Sequence, residues 1–248
     1  MRSLLIASGD DEAGLAAAFA SNADAVVVDV DVVNREVARS NASKWLKEAA
    51  LRPGGPAPMA RIGPLPGGEA DGDLEAVMAA APRAILLPQA RGGECVQQLS
   101  VKLALREALG GLDDGMTGII AVVDTAEALL AARGFCGASS RLIGLAWDAE
   151  SLRTSFDTHA VRDGAGDYAG ILRLAREITL VAAVAAGVAP IDSASDLDEA
   201  SLRLEAETAQ RYGFRLKLAR RPSEARIINE VFSSLPPAAG PEAQPGRP

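Results

Sequence analysis

Asp29 and Asp31 flank a single valine in AVVVDVDVVN, residues 25–34. A Val-rich run of this kind reads as a buried strand. An unpaired carboxylate inside a core is costly or takes up a proton. Acids here therefore point to a strand end that opens on a site. The pattern recurs along the chain. Arg61 closes one apolar run, Gln89 follows ILLP, Asp124 follows AVV, and Asp148, Glu150 and Ser151 lie together in WDAES. Asp192 and Asp196 follow a later run, and Lys217 and Arg220 end the last one. Oxygen donors without His or Cys suit a hard divalent cation, and magnesium needs only one or two carboxylates besides its waters. Beside an arginine such an ion polarises a carbonyl and stabilises an enolate, the charge that appears when a neighbouring carbon–carbon bond breaks. The one histidine, His159, lies in a polar stretch. A His-based metal triad or a Ser-His-Asp triad therefore has little material.

The elements that must position these residues alternate. Short strand-like runs occupy 2–7, 25–30, 57–62, 84–88, 118–123, 141–146, 188–192 and 215–219. Segments with helical spacing occupy 12–22, 35–51, 68–80, 92–109, 125–134, 169–186, 198–212 and 223–233. Eight βα units in a chain of this length predict an α/β fold, a single-domain (β/α)8 TIM barrel over residues 1–234. The competing doubly wound sheet lacks its GxGxxG turn after the first strand. LPPAAGPEAQPGRP, 235–248, is too rich in Pro, Gly and Ala for a core element and reads as a disordered tail. In a barrel, sites form where strands end and βα-loops begin. Acids from four strands then ring one mouth, with an arginine among them.

The 248 residues carry a net charge of −8, which argues against nucleic acid or an anionic membrane surface as partner. No apolar run reaches the length of a membrane span, and MRSLLIASGDDE turns acidic too early for a signal peptide. Cys95 and Cys136 show no CxxC spacing and read as small buried residues. A cytoplasmic protein is expected. ITLVAAVAAGVA, 178–189, reads as core in preference to interface.

The ordered motifs resemble the citrate lyase beta-subunit and malyl-CoA lyase family, within the HpcH/HpaI aldolase superfamily. RSLLIASGD (2–10) is similar to the family's RSLLFVPGD, and NADAVVVDVDVVN (22–34) to GADAVILDLEDAV. ARIGPL, ILLPQ, AVVDTAEA and GLAWDAESL are similar to VRINPL, IVLPK, ALIETARG and GLAFGAEDL. The stretches 167–192 and 212–232 resemble its closing third, so the likeness covers nearly the whole chain before 235. The resemblance implies a magnesium-dependent barrel, assembled as a homo-oligomer, a trimer or hexamer. It implies lysis or condensation at a carbon–carbon bond of a small oxo or hydroxy acid or its CoA thioester. Family metal ligands fall on Asp124 and Ser151. The arginine that meets the substrate falls on Arg61, and the lysine of LPK on Gln89. Asp31 is implied as the site-facing acid, touching metal-held water, with Asp29 toward the barrel–helix layer. Asp196 is the nearest match to an acid that reaches a neighbouring subunit's site.

Departures from the pattern leave two readings. The metal-binding glutamate is shortened to Asp124, the metal-binding aspartate becomes Ser151, and a glycine becomes Asp148. Either Asp148 or Glu150 could replace the lost ligand. The first reading is a divergent metal-assisted carbon–carbon lyase with a weakened magnesium site. The alternative is a degenerate, non-catalytic paralogue that binds a metabolite or a partner.

Overall fold

The structure, a computed structural model, describes residues 1–233. Residue 234 and the expected tail at 235–248 lie outside the described residues. Eight parallel strands close into a barrel in chain order. They are β1 (Ser3–Ser8), β2 (Ala25–Asp29), β3 (Ala57–Arg61), β4 (Ala84–Leu87), β5 (Gly118–Val123), β6 (Leu142–Trp147), β7 (Ala189–Asp192) and β8 (Leu216–Ala219). The last strand closes on the first, with Leu4 opposite Leu218. This is the expected (β/α)8 architecture.

Period-2 alternation divides the strand residues between two cores. Leu4, Val27, Met59, Leu86, Ile120, Val122, Ala146, Ile191 and Leu218 fill the barrel. Their neighbours Leu5, Val26, Val28, Ala60, Ile85, Leu145 and Trp147 face the helices. With both faces buried, β2, β4 and β5 read as unbroken apolar runs, as parallel strands do.

The helices are α1 (Glu12–Phe19), α2 (Arg35–Ala50), α3 (Glu69–Met78), α4 (Gly93–Gly110), α5 (Ala126–Leu130), α6 (Ala149–Ser155), α7 (Gly170–Ala186), α8 (Glu199–Tyr212) and α9 (Pro222–Phe232). The sequence predicts all but α6, which lies where WDAES reads as loop. It forms because Asp148, in extended conformation, caps the N–H groups of Glu150 and Ser151. The 178–189 stretch is core on one side only. In α7, Ala175, Thr179 and Ala182 are buried while Leu174, Val181 and Val184 are exposed. Cys136 is exposed and Cys95 half-buried, so the expectation of two buried thiols fails for Cys136. Both thiols are free.

One close approach fixes the packing below the β4 and β5 loops. A Cβ on Gly93, at the start of α4, would lie 2.0 Å from the carbonyl oxygen of Gly134. No side-chain rotation relieves a clash with backbone. Gly93→Ala should lower stability by about 3 kcal/mol, read as a denaturation midpoint shift in urea.

Candidate functional site at the barrel mouth

Counting by twos from the barrel core gives the residues at the mouth. The inward phase of β2 runs Ala25, Val27, Asp29, and that of β3 runs Ala57, Met59, Arg61. The phase of β5 runs Ile120, Val122, Asp124, and that of β6 runs Ala146, Asp148. On these four strands three acids and one arginine thus rise above the apolar layers at the C-terminal end of the barrel.

Arg61 Nη1 donates to Asp29 Oδ2 at 2.9 Å. Burial raises the Asp29 carboxyl above its ordinary range, offset in part by Arg61 and by the N–H of Asp31. Burial works against the Arg61 guanidinium, but Asp29, Asp148 and Asp31 together hold its pKa above the usual value. Asp124 is buried, and both its oxygens accept the backbone N–H of Gln89, at 2.9 and 3.0 Å. Burial pushes its pKa up to about 6, and the charge of Asp148 adds to the rise. Gln89 presents that N–H from a left-handed backbone, φ 49°, unusual for a residue other than Gly.

The structure places the other expected site residues differently. Asp31 lies beyond β2 and is ion-paired with Arg35, which also holds the buried Asp73. The expectation that Asp29 turns toward the helices is corrected. Residues two apart share a face of a strand, and Asp29 is the acid that meets Arg61. Glu150 is exposed and paired with Arg153, 3.0 Å away. Ser151 is half-buried and gives its N–H to Asp148. Asp196 is exposed in the loop after β7 and pairs with Arg221. Asp192 and Lys217 do not join the mouth ring. They sit one step out of the inward phase and bond to each other behind the barrel wall. His159 is exposed.

Among the described residues, no three His, Cys, Asp or Glu side chains are grouped to hold a metal. The donor set still suits magnesium. Asp124 and Asp148 are hard oxygen donors that repel one another, and an intervening cation would offset both that repulsion and the burial of Asp124. Asp148 spends Oδ1 on the two cap bonds and keeps Oδ2. An ion held this way keeps most of its waters.

Comparisons with known proteins agree with the barrel fold. The HpcH/HpaI aldolase/citrate lyase family model matches residues 2–222. The chain belongs to that family. Citrate lyase subunit beta of Leuconostoc mesenteroides subsp. cremoris is 27% identical over 238 residues, 94% of this chain and 76% of its own. A Mycobacterium tuberculosis citrate lyase beta subunit, solved with oxaloacetate and magnesium, superposes with a TM-score of 0.76 at 26% identity, covering 93% of this chain and 96% of that one. A further M. tuberculosis structure of the family holds magnesium, acetoacetate and coenzyme A, with a TM-score of 0.74 at 26% identity over 93% and 80% of the two chains. The family and these relatives are carbon–carbon lyases, as the motifs imply. No helix among the described residues is long and apolar enough to cross a membrane.

Proposed function

We propose that this HpcH/HpaI family member is a divergent carbon–carbon lyase acting on a small oxo or hydroxy acid or its CoA thioester. The observation that carries the reading is the gathering of Arg61, Asp29, Asp124 and Asp148 at one barrel mouth. Asp124 and Asp148 would hold magnesium, which would supply the positive charge that polarises the substrate's carbonyl. Asp29 fixes Arg61 through Nη1 and leaves the rest of the guanidinium fork for substrate oxygen. As the bond breaks, the hydroxyl proton passes to a carboxylate and the hydroxyl carbon becomes a carbonyl. The bonding pair collects on the enolate oxygen facing Arg61. Asp29, with its raised pKa, stands ahead of Asp31 and Asp196 as the acceptor of that proton. A homo-oligomer belongs to the same reading, supported by the exposed apolar side chains of α7.

Magnesium calorimetry tests the ligand assignment. Asn caps a helix as well as Asp does, so Asp148→Asn removes the charge and keeps α6. Magnesium affinity should fall about tenfold, the effect of ~1.4 kcal/mol of lost attraction. Glu150→Gln, at an exposed position, should leave affinity unchanged. Unchanged affinity in an Asp148→Asn, Glu150→Gln double variant would remove both residues from the metal site. Failure of the wild type to bind magnesium with or without oxaloacetate would turn the reading to the non-catalytic paralogue.

A further inference from the structure

Asp31, the second acid of AVVVDVDVVN, belongs to a closed ring of contacts that begins and ends at Arg61. Arg61 Nη1 donates to Asp29 Oδ2 at 2.9 Å, and Asp29 Oδ1 accepts the backbone N–H of Asp31 at 3.0 Å. The Asp31 carboxylate pairs with Arg35, in the first turn of α2. Arg35 Nη1 donates to Asp73 Oδ2, on α3, at 2.7 Å. The same oxygen accepts the backbone N–H of Gly63 at 2.8 Å, and Gly63 follows Arg61 and Ile62 in the chain. The ends of β2 and β3 are thus tied through the helix layer as well as through the sheet.

The burial of Asp73 does not by itself require Arg35. Asp73 is fully buried, and Arg39, one turn further along α2, donates Nε to its other oxygen at 2.9 Å. Arg39 turns the rest of its fork to Glu36 and Glu69. Of the two arginines on Asp73, Arg35 is the one that also pairs with Asp31. The β3 loop leaves room for it by carrying Gly63, where a Cβ would lie 2.7 Å from Arg35 Nη1.

We propose that Arg35 is a positioning residue of the mouth, which clamps Asp31 to Asp73 and so fixes Asp29 against the guanidinium of Arg61. A guanidinium fork bridges two carboxylates in a set geometry, which a point charge does not. Small displacements of a group that orients substrate are costly to its function. Arg35 also balances charge. Burial raises the Asp29 carboxyl, Arg61 lowers it, and the charge of Asp31 adds to the rise. On β1 the register partner of Asp29 is Ser8, whose hydroxyl goes to Asp10, and from β6 the charge of Asp148 reaches Arg61. Without Arg35 the charge of Asp31 would act on Asp29 unopposed. That the pair meets a substrate rests on the lyase reading; that Arg35 fixes the pair does not.

Carbon-13 NMR titration of the aspartate carboxyls, with Asp29 assigned from Asp29→Asn, reads the pair without any substrate. In Arg35→Met, Asp29 should titrate at higher pH than in wild type, and in Arg39→Met it should not move. Each variant takes one arginine from Asp73, so general loosening of that anchor would act in both. Calorimetry of oxaloacetate with saturating magnesium then reads the aim of Arg61. Affinity should fall about tenfold in Arg35→Met and stay within about twofold in Arg39→Met. Magnesium affinity should hold in both, because Asp124 and Asp148 lie outside the ring. Gly63→Ala displaces the Arg35 guanidinium and keeps its charge, so it should weaken oxaloacetate binding as well, and it serves if Arg35→Met does not fold. The clamp is overturned if Asp29 titrates in Arg35→Met as in wild type, if it moves equally in Arg39→Met, or if Arg35→Met and Gly63→Ala both bind oxaloacetate as wild type does. A wild type that ignores oxaloacetate, with Asp29 shifted in Arg35→Met, keeps the clamp and counts against the proposed reaction. A wild type that binds oxaloacetate no better than Arg35→Met keeps the reaction and loses the clamp.

Discussion

Asp124→Asn should lower kcat/KM of the proposed lyase by about 10²–10³-fold, and at pH 7 it should raise the melting temperature by a few degrees. Both effects have one origin. Asp124 is buried, and the Gln89 N–H and the charge of Arg61 only partly offset that burial and the repulsion of Asp148. The fold therefore favours the protonated acid, with a pKa of about 6 against the ordinary 3.8. A displacement of that size costs the charged form roughly 3 kcal/mol in the folded state. Between those two values the folded chain binds more protons than the unfolded one. Stability from this group is then present in acid and is lost as pH rises toward 6. Asn removes the charge and still accepts the N–H of Gln89, so the decline between pH 4 and 6 should flatten in the variant. Magnesium should reverse the order, raising the wild-type midpoint above pH 6 and leaving the variant unmoved. Thermal melts at pH 4, 5, 6 and 7, with and without magnesium, check every arm. A variant less stable than wild type at pH 7, with the same pH slope, would mean that Asp124 is already compensated and has no need of a cation.

The fold is legible because apolar runs and helical segments alternate without interruption, and a barrel leaves its strands no second pairing. The site is legible only in part. Arg61 and Asp124 stand at strand ends, and their types mark them. Asp29 requires a count of phase, since an acid two residues beyond Val27 shares its face. That count also finds Arg220, two beyond Leu218, and separates Asp192 and Lys217 from the mouth. Asp148 is harder to place, because one carboxylate both caps α6 and charges the site. Nothing in the local sequence links Arg35 to Asp73, or Lys217 to Glu205. Those pairs form only once α2 packs beside α3 and α8 packs over β8.

Lys217→Met should be the most destabilising change at a polar position, costing about 3–5 kcal/mol and lowering the melting temperature by roughly 10 °C. Lys217 is fully buried between two carboxylates, with Nζ also 2.6 Å from the carbonyl oxygen of Ser193. Removing the ammonium leaves Asp192 and Glu205 charged in a dry layer between the barrel and α7 and α8. Burial alone would raise the Asp192 carboxyl, yet Lys217 and Arg176 bring it down to about 2. Its stabilising effect is complete above the ordinary carboxylate pKa and is lost as pH falls from about 4 toward 2. Lys217→Met should therefore unfold at a higher pH on acid titration than wild type. Adding Asp192→Asn should recover part of the loss, because the charge Lys217 served is gone. Arg176 loses its anionic partner and the second oxygen that accepts from its Nη2 in that double variant, so recovery stays incomplete. A double-mutant cycle from urea denaturation should give a coupling of about 1–3 kcal/mol. Simple additivity would show that the ion pair is replaceable by any side chain of similar volume. The strand ends it joins would then be held by apolar packing alone, and the wall beneath Ser195 and Arg220 would not depend on buried charge.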